Sequence, residues 1–141
     1  MNSKELKNKK IAIIGLGYVG LPLAIEFSNQ FPSIGFDIDK NRIKELRSGV
    51  DRTREISKKE LTNSSIVFTN LVDEIKDCNI YIVTVPTPID INNKPDLNPL
   101  MLASKLIGGI LNPSDIVIYE STVYPGCTEE ECVPILEKEP K

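Results

Sequence analysis

The segment IAIIGLGYVG, residues 11–20, places three glycines at a fixed spacing directly after four apolar residues. The apolar run is rich in isoleucine and too short for a buried helix, so we expect a buried strand. Gly15 allows a tight turn out of that strand, Gly17 lets the backbone approach a pyrophosphate, and Gly20 lets the next helix pack closely on the strand. Ordinary strand–helix turns also contain such glycines, so the surrounding sequence has to decide between the two interpretations.

The residues after the glycines favour a dinucleotide site. Residues 18–29 have the apolar pattern of a helix packed on a sheet, and SIGFDI at residues 33–38 predicts a second strand. Asp37 closes that strand 22 residues after Gly15, where a carboxylate can accept hydrogen bonds from a ribose diol. Its charge would repel a 2′-phosphate, which favours NAD over NADP. Asp39 is a competing acid, but it fits the N-cap of the following helix better.

The rest of the chain continues to alternate strands with helices. Further strands are expected at residues 65–69, 79–85 and 115–120, with the first strand at residues 9–14. Further helices are expected at residues 40–49, at about 71–76, at 96–111 and from 128 onward, with Asp96 as one N-cap and a capping box formed by Ser57 and Glu60. This order predicts an α/β fold with a doubly wound parallel sheet of the Rossmann type. We expect a polar N-terminal tail at residues 1–9 and one domain at residues 10–141.

Composition narrows the possible partners and the compartment. The chain has 141 residues, a net charge of −3 and a pI of about 5.1, which argues against nucleic-acid binding. No apolar run approaches the ~18 residues that span a bilayer, and the polar N-terminus lacks the apolar core of a signal peptide. We therefore expect a cytoplasmic protein without a membrane segment. Arg42 and Lys44 are interpreted as solvated helix charges that leave some room for NADP.

The cysteines and the absence of histidine exclude several kinds of chemistry. Three cysteines and no histidine give neither a disulfide framework nor a metal site, and they exclude a histidine general base within this chain. Cys127 is interpreted as a plain loop cysteine, because no base is evident beside it. Cys78 and Cys132 are expected to be small buried apolar residues.

Two proline- and hydroxyl-containing motifs close later strands. VPTP closes the fourth strand and ESTV ends the fifth. Ligands of doubly wound sheets lie beyond the carboxyl ends of the strands, so Pro86 and Thr87 are expected on the adenosine side. Ser121 and Thr122 are expected near the nicotinamide half. An ordinary proline turn and local capping by the hydroxyls would explain these residues equally well.

Taken together, GLGYVGLPLA, GFDID, VTVPTPID and ESTVYPG resemble the N-terminal domain of the UDP-glucose/GDP-mannose dehydrogenase family. The resemblance extends from Lys10 onward and is greatest to bacterial UDP-N-acetyl-hexosamine dehydrogenases, which make uronic acid sugars for surface polysaccharides. It implies a two-step, NAD-dependent oxidation of the C6 alcohol of a nucleotide sugar to a carboxylate. It also implies a homodimer for the full-length enzyme.

The resemblance assigns roles to individual residues. The three glycines would hold the pyrophosphate, Asp37 would hold the adenosine ribose, and Thr122 would support catalysis beside the catalytic water and the nicotinamide. Arg42 would lie near the ribose, and Arg54, in the loop DRTRE, would lie near the phosphates. The expected cofactor-binding residues are Gly15, Leu16, Gly17, Tyr18, Val19, Gly20, Asp37, Ile38, Arg42, Arg54, Val85, Pro86, Thr87, Ser121 and Thr122.

One departure from the family concerns its catalytic residues. The family's nucleophilic cysteine and its catalytic lysine, asparagine and glutamate lie further along the chain than residue 141. We therefore expect a cofactor domain of a larger dehydrogenase, inactive by itself, without the central helix and the sugar-nucleotide domain. The alternatives are a stand-alone NAD(H)-sensing module and another dehydrogenase class, such as a 3-hydroxyacid dehydrogenase.

Overall fold

Five parallel strands form a single sheet, and their carboxyl ends open on one edge. The strands are β1 (Ile11–Ile14), β2 (Ser33–Phe36), β3 (Val67–Thr69), β4 (Ile80–Val83) and β5 (Ile116–Tyr119). Their order in the sheet is β3-β2-β1-β4-β5. The computed structural model describes residues 2–138. The chain moves outward from β1 to β3 and then returns to the other side of β1 to form β4. This order confirms the doubly wound parallel sheet of the Rossmann type, and it leaves a crevice at the ends of β1 and β4.

Helices connect the strands, at positions close to those that the sequence predicts. A 3₁₀ helix at Val72–Glu74 precedes β4, and a π-helical turn at Thr128–Cys132 runs into the last helix. The polar N-terminal segment, predicted as a tail, contains a short helix. The helices are α1 (Ser3–Lys7), α2 (Gly20–Ser28), α3 (Lys40–Arg47), α4 (Lys58–Asn63), α5 (Asn98–Gly108) and α6 (Val133–Lys138).

Two apolar layers cover the sheet. On one face, Ala12 and Ile14 of β1 and Tyr81 of β4 pack with residues of α5, among them Leu100 and Ile107. The opposite face carries the alternate strand residues, which pack with α2, α3 and α4. Because β1 and β4 are buried on both faces, they read as continuous apolar runs rather than as alternating patterns. This second layer includes Ile11, Ile13, Ile80, Ile82, Leu21, Ala24, Ile43, Leu46 and Leu61.

Polar side chains accept backbone N–H groups at the starts of α3, α4 and α5, and at α5 the arrangement differs from the prediction. The side chain of Asp39 accepts a hydrogen bond from the backbone N–H of Asn41, and Ser57 and Glu60 form the predicted capping box. Asp96 is not the N-cap of α5, because that position is Leu97. The Asp96 carboxylate instead accepts from the N–H of Asn98 at 3.0 Å, so it caps the same helix from one residue further back.

All three cysteines are buried thiols. The burial of Cys78 and Cys132 agrees with their interpretation as small apolar residues. Cys127, predicted as a plain loop cysteine, is instead fully buried at the start of the π-helical turn. The Pro-Gly turn before it directs the chain inward, so that Cys127 packs in the same layer as Cys132.

The buried hydroxyl of Tyr81 allows a test of how much one hydrogen bond contributes to this core. The side chain is fully buried, and its hydroxyl donates to the carbonyl oxygen of Ile75 at 3.0 Å. Replacing Tyr81 by Phe keeps the ring and removes this buried hydrogen bond, while the carbonyl of Ile75 still accepts from the N–H of Cys78, so we expect a loss of about 1 kcal/mol in the free energy of unfolding. Urea denaturation measures the loss. Tyr18→Phe, whose ring is 69% exposed, should cost nothing, and equal losses in both variants would contradict this account.

Candidate functional site

The glycine-rich turn between β1 and α2 is shaped by close backbone packing. Gly15 has a φ of +96°, and a Cβ there would lie 3.0 Å from the backbone nitrogen of Val85. A Cβ on Gly20 would overlap the carbonyl oxygen of Gly15 and the hydroxyl of Thr84. A Cβ on Gly17, in contrast, would meet no atom within 4 Å. The protein itself therefore requires the first and last glycines, whereas the middle glycine leaves open space at the surface of the turn.

Thr84 holds the turn against β4. Its hydroxyl donates to the carbonyl oxygen of Gly15 at 2.7 Å, and its backbone N–H donates to that of Ile14 at 2.8 Å. The side chain is buried. Nothing in the sequence singles out Thr84, because a threonine at the end of an apolar strand carries no signal that separates it from its neighbours.

The carboxylate of Asp37 lies at the end of β2 and faces the glycine turn. One oxygen accepts from the N–H of Leu16 at 2.9 Å, and the other accepts from the N–H of Asp39 at 2.9 Å. A carboxylate oxygen has two lone pairs, so each oxygen can still accept a second hydrogen bond. Asp37 therefore helps to shape the turn and can also bind hydroxyl donors.

Arg42 is not the solvated helix charge that the sequence predicts. Only 4% of the residue is exposed, while Lys44 on the same helix is exposed as expected. The Nε of Arg42 donates to the carbonyl oxygen of Leu16 at 2.8 Å, and Nη2 donates to Asp51 at 2.8 Å. The remaining nitrogen, Nη1, is buried, has no hydrogen-bond partner among residues 2–138, and lies 3.7 Å from a carboxylate oxygen of Glu45. Arg42 is one of the residues that line a cleft that also contains Asp37.

Asp51 organises the loop that follows α3. Its side chain is 1% exposed and accepts hydrogen bonds from Arg42, from the hydroxyl and N–H of Thr53, and from the N–H groups of Glu55 and Ile56. Burial by itself raises the pKa of Asp51, but the hydrogen bonds from Thr53, Ile56 and Arg42 outweigh it and lower the pKa to about 2. Asp51 is therefore a permanent negative charge beside Arg42.

Two adjoining clefts lie along the carboxyl edge of the sheet. The first has a volume of about 420 Å³ and lies between the loops after β2 and α3 and the helix α5. The second has a volume of about 780 Å³ and lies between the loops after β4 and β5. The residues that line both clefts are Gly17, Thr53, Val85 and Pro86. The open side of the glycine turn thus lies where the two clefts meet.

The clefts bring together most of the residues that the sequence predicts for the site. Thr87, expected with Pro86 on the adenosine side, lies in the second cleft, whereas Pro86 lines both clefts. Gly20 is buried at the start of α2, and Arg54 has a φ of +57° in an exposed loop. From that loop, Arg52 and Thr53 line the first cleft. The predicted residues in the first cleft are Gly15, Leu16, Gly17, Asp37, Ile38, Arg42, Val85 and Pro86, and those in the second are Gly17, Tyr18, Val19, Val85, Pro86, Thr87, Ser121 and Thr122.

Hydroxyl groups connect the two loops that border the second cleft. Ser121 donates to the carbonyl oxygen of Val85 at 2.7 Å, and Thr87 donates to that of Thr122 at 2.7 Å. Each hydroxyl proton is used between the loops, so these hydroxyls face the cleft as acceptors. Glu120 and Tyr124 line the same cleft and were not predicted. The sequence shows only that Glu120 begins ESTV and that Tyr124 follows it, and not that their side chains border a cleft.

Charged groups alternate at the rim of the first cleft. Arg52 donates to Glu45 at 2.7 Å and to Asp39 at 3.1 Å. The backbone N–H groups of Arg42 and Asn41, together with the Arg52 guanidinium, hold the pKa of Asp39 below its usual value. Asp39 therefore stays ionised, and its ion pair with Arg52 offsets its negative charge at this end of the cleft.

Two other kinds of site are not found in the part of the chain that the structure describes. Within residues 2–138, no group of three or more His, Cys, Asp or Glu side chains is placed to hold a metal ion. None of the helices there is long and apolar enough to cross a membrane.

Comparison with known protein families agrees with this geometry. Residues 9–141 match the UDP-glucose/GDP-mannose dehydrogenase family, NAD binding domain. The match covers the whole sheet and both clefts.

Individual relatives and a solved structure agree with the family match. The chain is 59% identical over 128 residues to a UDP-N-acetyl-D-glucosamine 6-dehydrogenase of Salmonella typhi, covering 90% of this chain and 30% of that protein. It is 56% identical over 134 residues to the enzyme of the same name from Pseudomonas aeruginosa, covering 94% and 32%. A UDP-D-ManNAc dehydrogenase structure from Pyrococcus horikoshii superposes with a TM-score of 0.82 at 36% identity, covering 91% and 32%. The chain thus spans about a third of the length of the relatives it matches.

Two glycine substitutions should separate packing from open space. Gly20→Ala forces a methyl group against Gly15 and Thr84, so we expect it to destabilise the fold by about 2–3 kcal/mol or to prevent folding. Gly17→Ala adds a methyl group in open space and should change the free energy of unfolding by less than about 1 kcal/mol. Denaturation followed by circular dichroism compares the two variants. Similar free energies of unfolding in the two variants would contradict the close packing at Gly20.

The buried carboxylate of Asp51 should contribute to acid sensitivity. Its pKa of about 2 lies below its unfolded value of about 3.8, so the folded state gains stability above pH 4 and loses it as the pH falls from about 4 toward 2. At neutral pH, Asp51→Asn should lower the free energy of unfolding by on the order of 2 kcal/mol. The difference in the free energy of unfolding between the variant and the parent should become smaller below pH 4. Urea denaturation between pH 7 and pH 3 measures both effects. A difference in the free energy of unfolding that stays constant with pH would contradict the role of the charge.

Proposed function

Because the chain belongs to the UDP-glucose/GDP-mannose dehydrogenase family, we propose that it binds NAD along its two clefts, as the cofactor domain of a nucleotide-sugar 6-dehydrogenase. The observation that carries the proposal is the position of the Asp37 carboxylate, which lines the first cleft beside the glycine turn. Each of its oxygens accepts one backbone N–H and retains a further lone pair. A ribose diol presents two hydroxyl donors, which would use those lone pairs.

The glycine turn is suited to the pyrophosphate. Gly17 leaves open space at the junction of the clefts, so a diphosphate there could approach the backbone without meeting a side chain. The start of α2 adds the positive end of a helix dipole. Arg54, from the neighbouring loop, would contribute positive charge near the phosphates.

The second cleft would take the nicotinamide half. Ser121, Thr122 and Thr87 offer hydroxyl and carbonyl oxygens there, and these can accept hydrogen bonds from an amide and a ribose. The exposed ring of Tyr18 and the side chain of Val19 border the same cleft and would shield the ligand from water. Thr122 would hold a water molecule next to the reacting groups, as a supporting residue.

In the whole enzyme, bound NAD supplies a hydride acceptor. The residues of this chain would bind the cofactor, orient it and exclude water. We propose that the whole protein oxidises the C6 alcohol of a UDP-N-acetyl-hexosamine to a carboxylate in two NAD-dependent steps, in the cytoplasm and as a homodimer. The product would be a uronic acid sugar for surface polysaccharides. The names of the relatives support this substrate class, since they include UDP-N-acetyl-D-glucosamine 6-dehydrogenases. The chain by itself should bind the cofactor without oxidising the sugar.

A calorimetric titration with NAD and NADP tests the proposal. We expect saturable binding of NAD, with binding of NADP at least about tenfold weaker, because Asp37 repels the 2′-phosphate. Asp37→Ala removes a charged acceptor and should weaken NAD binding about tenfold or more.

The control for that titration is Asp77→Ala. It removes the same charge from an exposed residue before β4, at the opposite edge of the sheet, and its NAD affinity should equal that of the parent. Thermal unfolding of each variant separates lost binding from lost folding. Equal affinities for NAD and NADP, or full NAD affinity in folded Asp37→Ala, would contradict the proposal.

A further inference from the structure

Arg52 occupies an unusual position at the mouth of the first cleft. It belongs to the loop organised by Asp51, and it lines the cleft together with Ile38 and Asp39. Its Nε donates to Glu45 at 2.7 Å and its Nη2 donates to Asp39 at 3.1 Å, while 48% of its side chain stays exposed. Two carboxylates therefore hold the edge of the guanidinium. The flat faces of the group take no part in these hydrogen bonds.

The other residues of the first cleft leave an aromatic ligand without a stacking partner. Phe36 is the one aromatic residue among the cleft-lining residues that the structure describes, and it is only 1% exposed. The apolar side chains Ile38 and Leu102 line the cleft while 61% and 51% exposed. They offer apolar contacts to a flat ring but no π-face. A planar cation is the remaining group that could stack on such a ring.

We propose that Arg52 is an adenine-binding residue, whose guanidinium stacks on one face of the adenine ring while apolar side chains of the first cleft contact the ring elsewhere. The inference rests on the proposed function, because it requires NAD to place its adenosine half in the first cleft. Asp39 caps α3 and its N–H donates to Asp37, so the ion pair with Arg52 ties the stacking group to the residue that would hold the ribose. One short segment would thus bind both parts of the adenosine.

The ion pairs with Asp39 and Glu45 explain why arginine suits this position. Each carboxylate takes an N–H at the edge of the guanidinium, which orients the plane and leaves both faces available. A lysine could keep the charge and pair with the carboxylates, but it has no planar face. The difference between Arg52→Ala and Arg52→Lys therefore separates stacking from simple charge.

Calorimetry on the 141-residue chain gives the first readout. We expect Arg52→Ala and Arg52→Lys to weaken NAD binding about 3- to 10-fold each. Lys44→Ala is the matched control, because it removes one positive charge from an exposed position on α3 outside both clefts. It should bind NAD as the parent does. The urea midpoints of all variants should agree, since Arg52 is an exposed residue.

NMR on the ¹⁵N-labelled chain gives a readout that a merely structural role would not move. The side-chain Nε–H resonance of Arg52, identified by its loss in Arg52→Lys, should shift upfield when AMP is added, because the proton enters the ring current of adenine. Ribose 5-phosphate, which lacks the base, should not cause that shift.

The outcomes of these experiments distinguish failure of the stacking contact from failure of the proposed function. Parent-like NAD affinity in Arg52→Lys, or an Arg52 resonance that AMP leaves unmoved while NAD binds, overturns the inference and leaves the proposed function intact. If the unmodified chain binds neither NAD nor AMP, the proposed function fails, and the inference fails with it. Weaker NAD binding in both Arg52 variants together with the adenine-dependent shift establishes the stacking contact.

Discussion

The first turn of α2 lies so close to the end of β1 that no side chain fits at residue 20. The Cα of Gly20 faces the carbonyl oxygen of Gly15 and the hydroxyl of Thr84, which itself donates to that carbonyl. This contact joins β1, β4 and α2 at one point. Because β1 and β4 are the strands between which the chain reverses direction, the contact also fixes where the crevice of the sheet opens. The positions of both clefts depend on it.

The sequence predicted the parts of this arrangement that depend on local pattern. The five strands, their parallel order and the caps at Asp39 and Ser57 follow from apolar periodicity and from short-range hydrogen bonding. The glycine spacing predicted a turn with a close approach at Gly20, and the geometry confirms that approach. Helix and strand ends differ by a few residues, because fraying and tertiary contacts set them. The start of α5 differs for this reason, with Leu97 in the N-cap position rather than Asp96.

Interactions between distant segments could not be predicted from the sequence in the same way. Arg42 resembles any charged residue on a short helix, and Asp51 resembles any acid in a polar loop. Only the folded chain brings them to 2.8 Å and buries both. The same holds for Thr84, which follows β4, and for Thr53, which lies in the loop after α3, because the fold brings both to the carboxyl edge of the sheet. A single sequence carries no signal for such pairs.

The carboxylate of Asp37 has a second structural role, which restricts the substitutions that this position can accept. It accepts the N–H groups of Leu16 and Asp39, so the residue that would select the cofactor also closes the turn that would bind it. Exchanging Asp37 for a small neutral residue, the simplest route toward accommodating a phosphorylated ribose, would leave both donors without an acceptor. A lineage that altered its cofactor preference here would need a new acceptor for those two groups at the same time. The preference for a cofactor and the shape of the glycine turn thus depend on the same residue. We therefore expect this end of the cleft to diverge more slowly than its exposed surroundings.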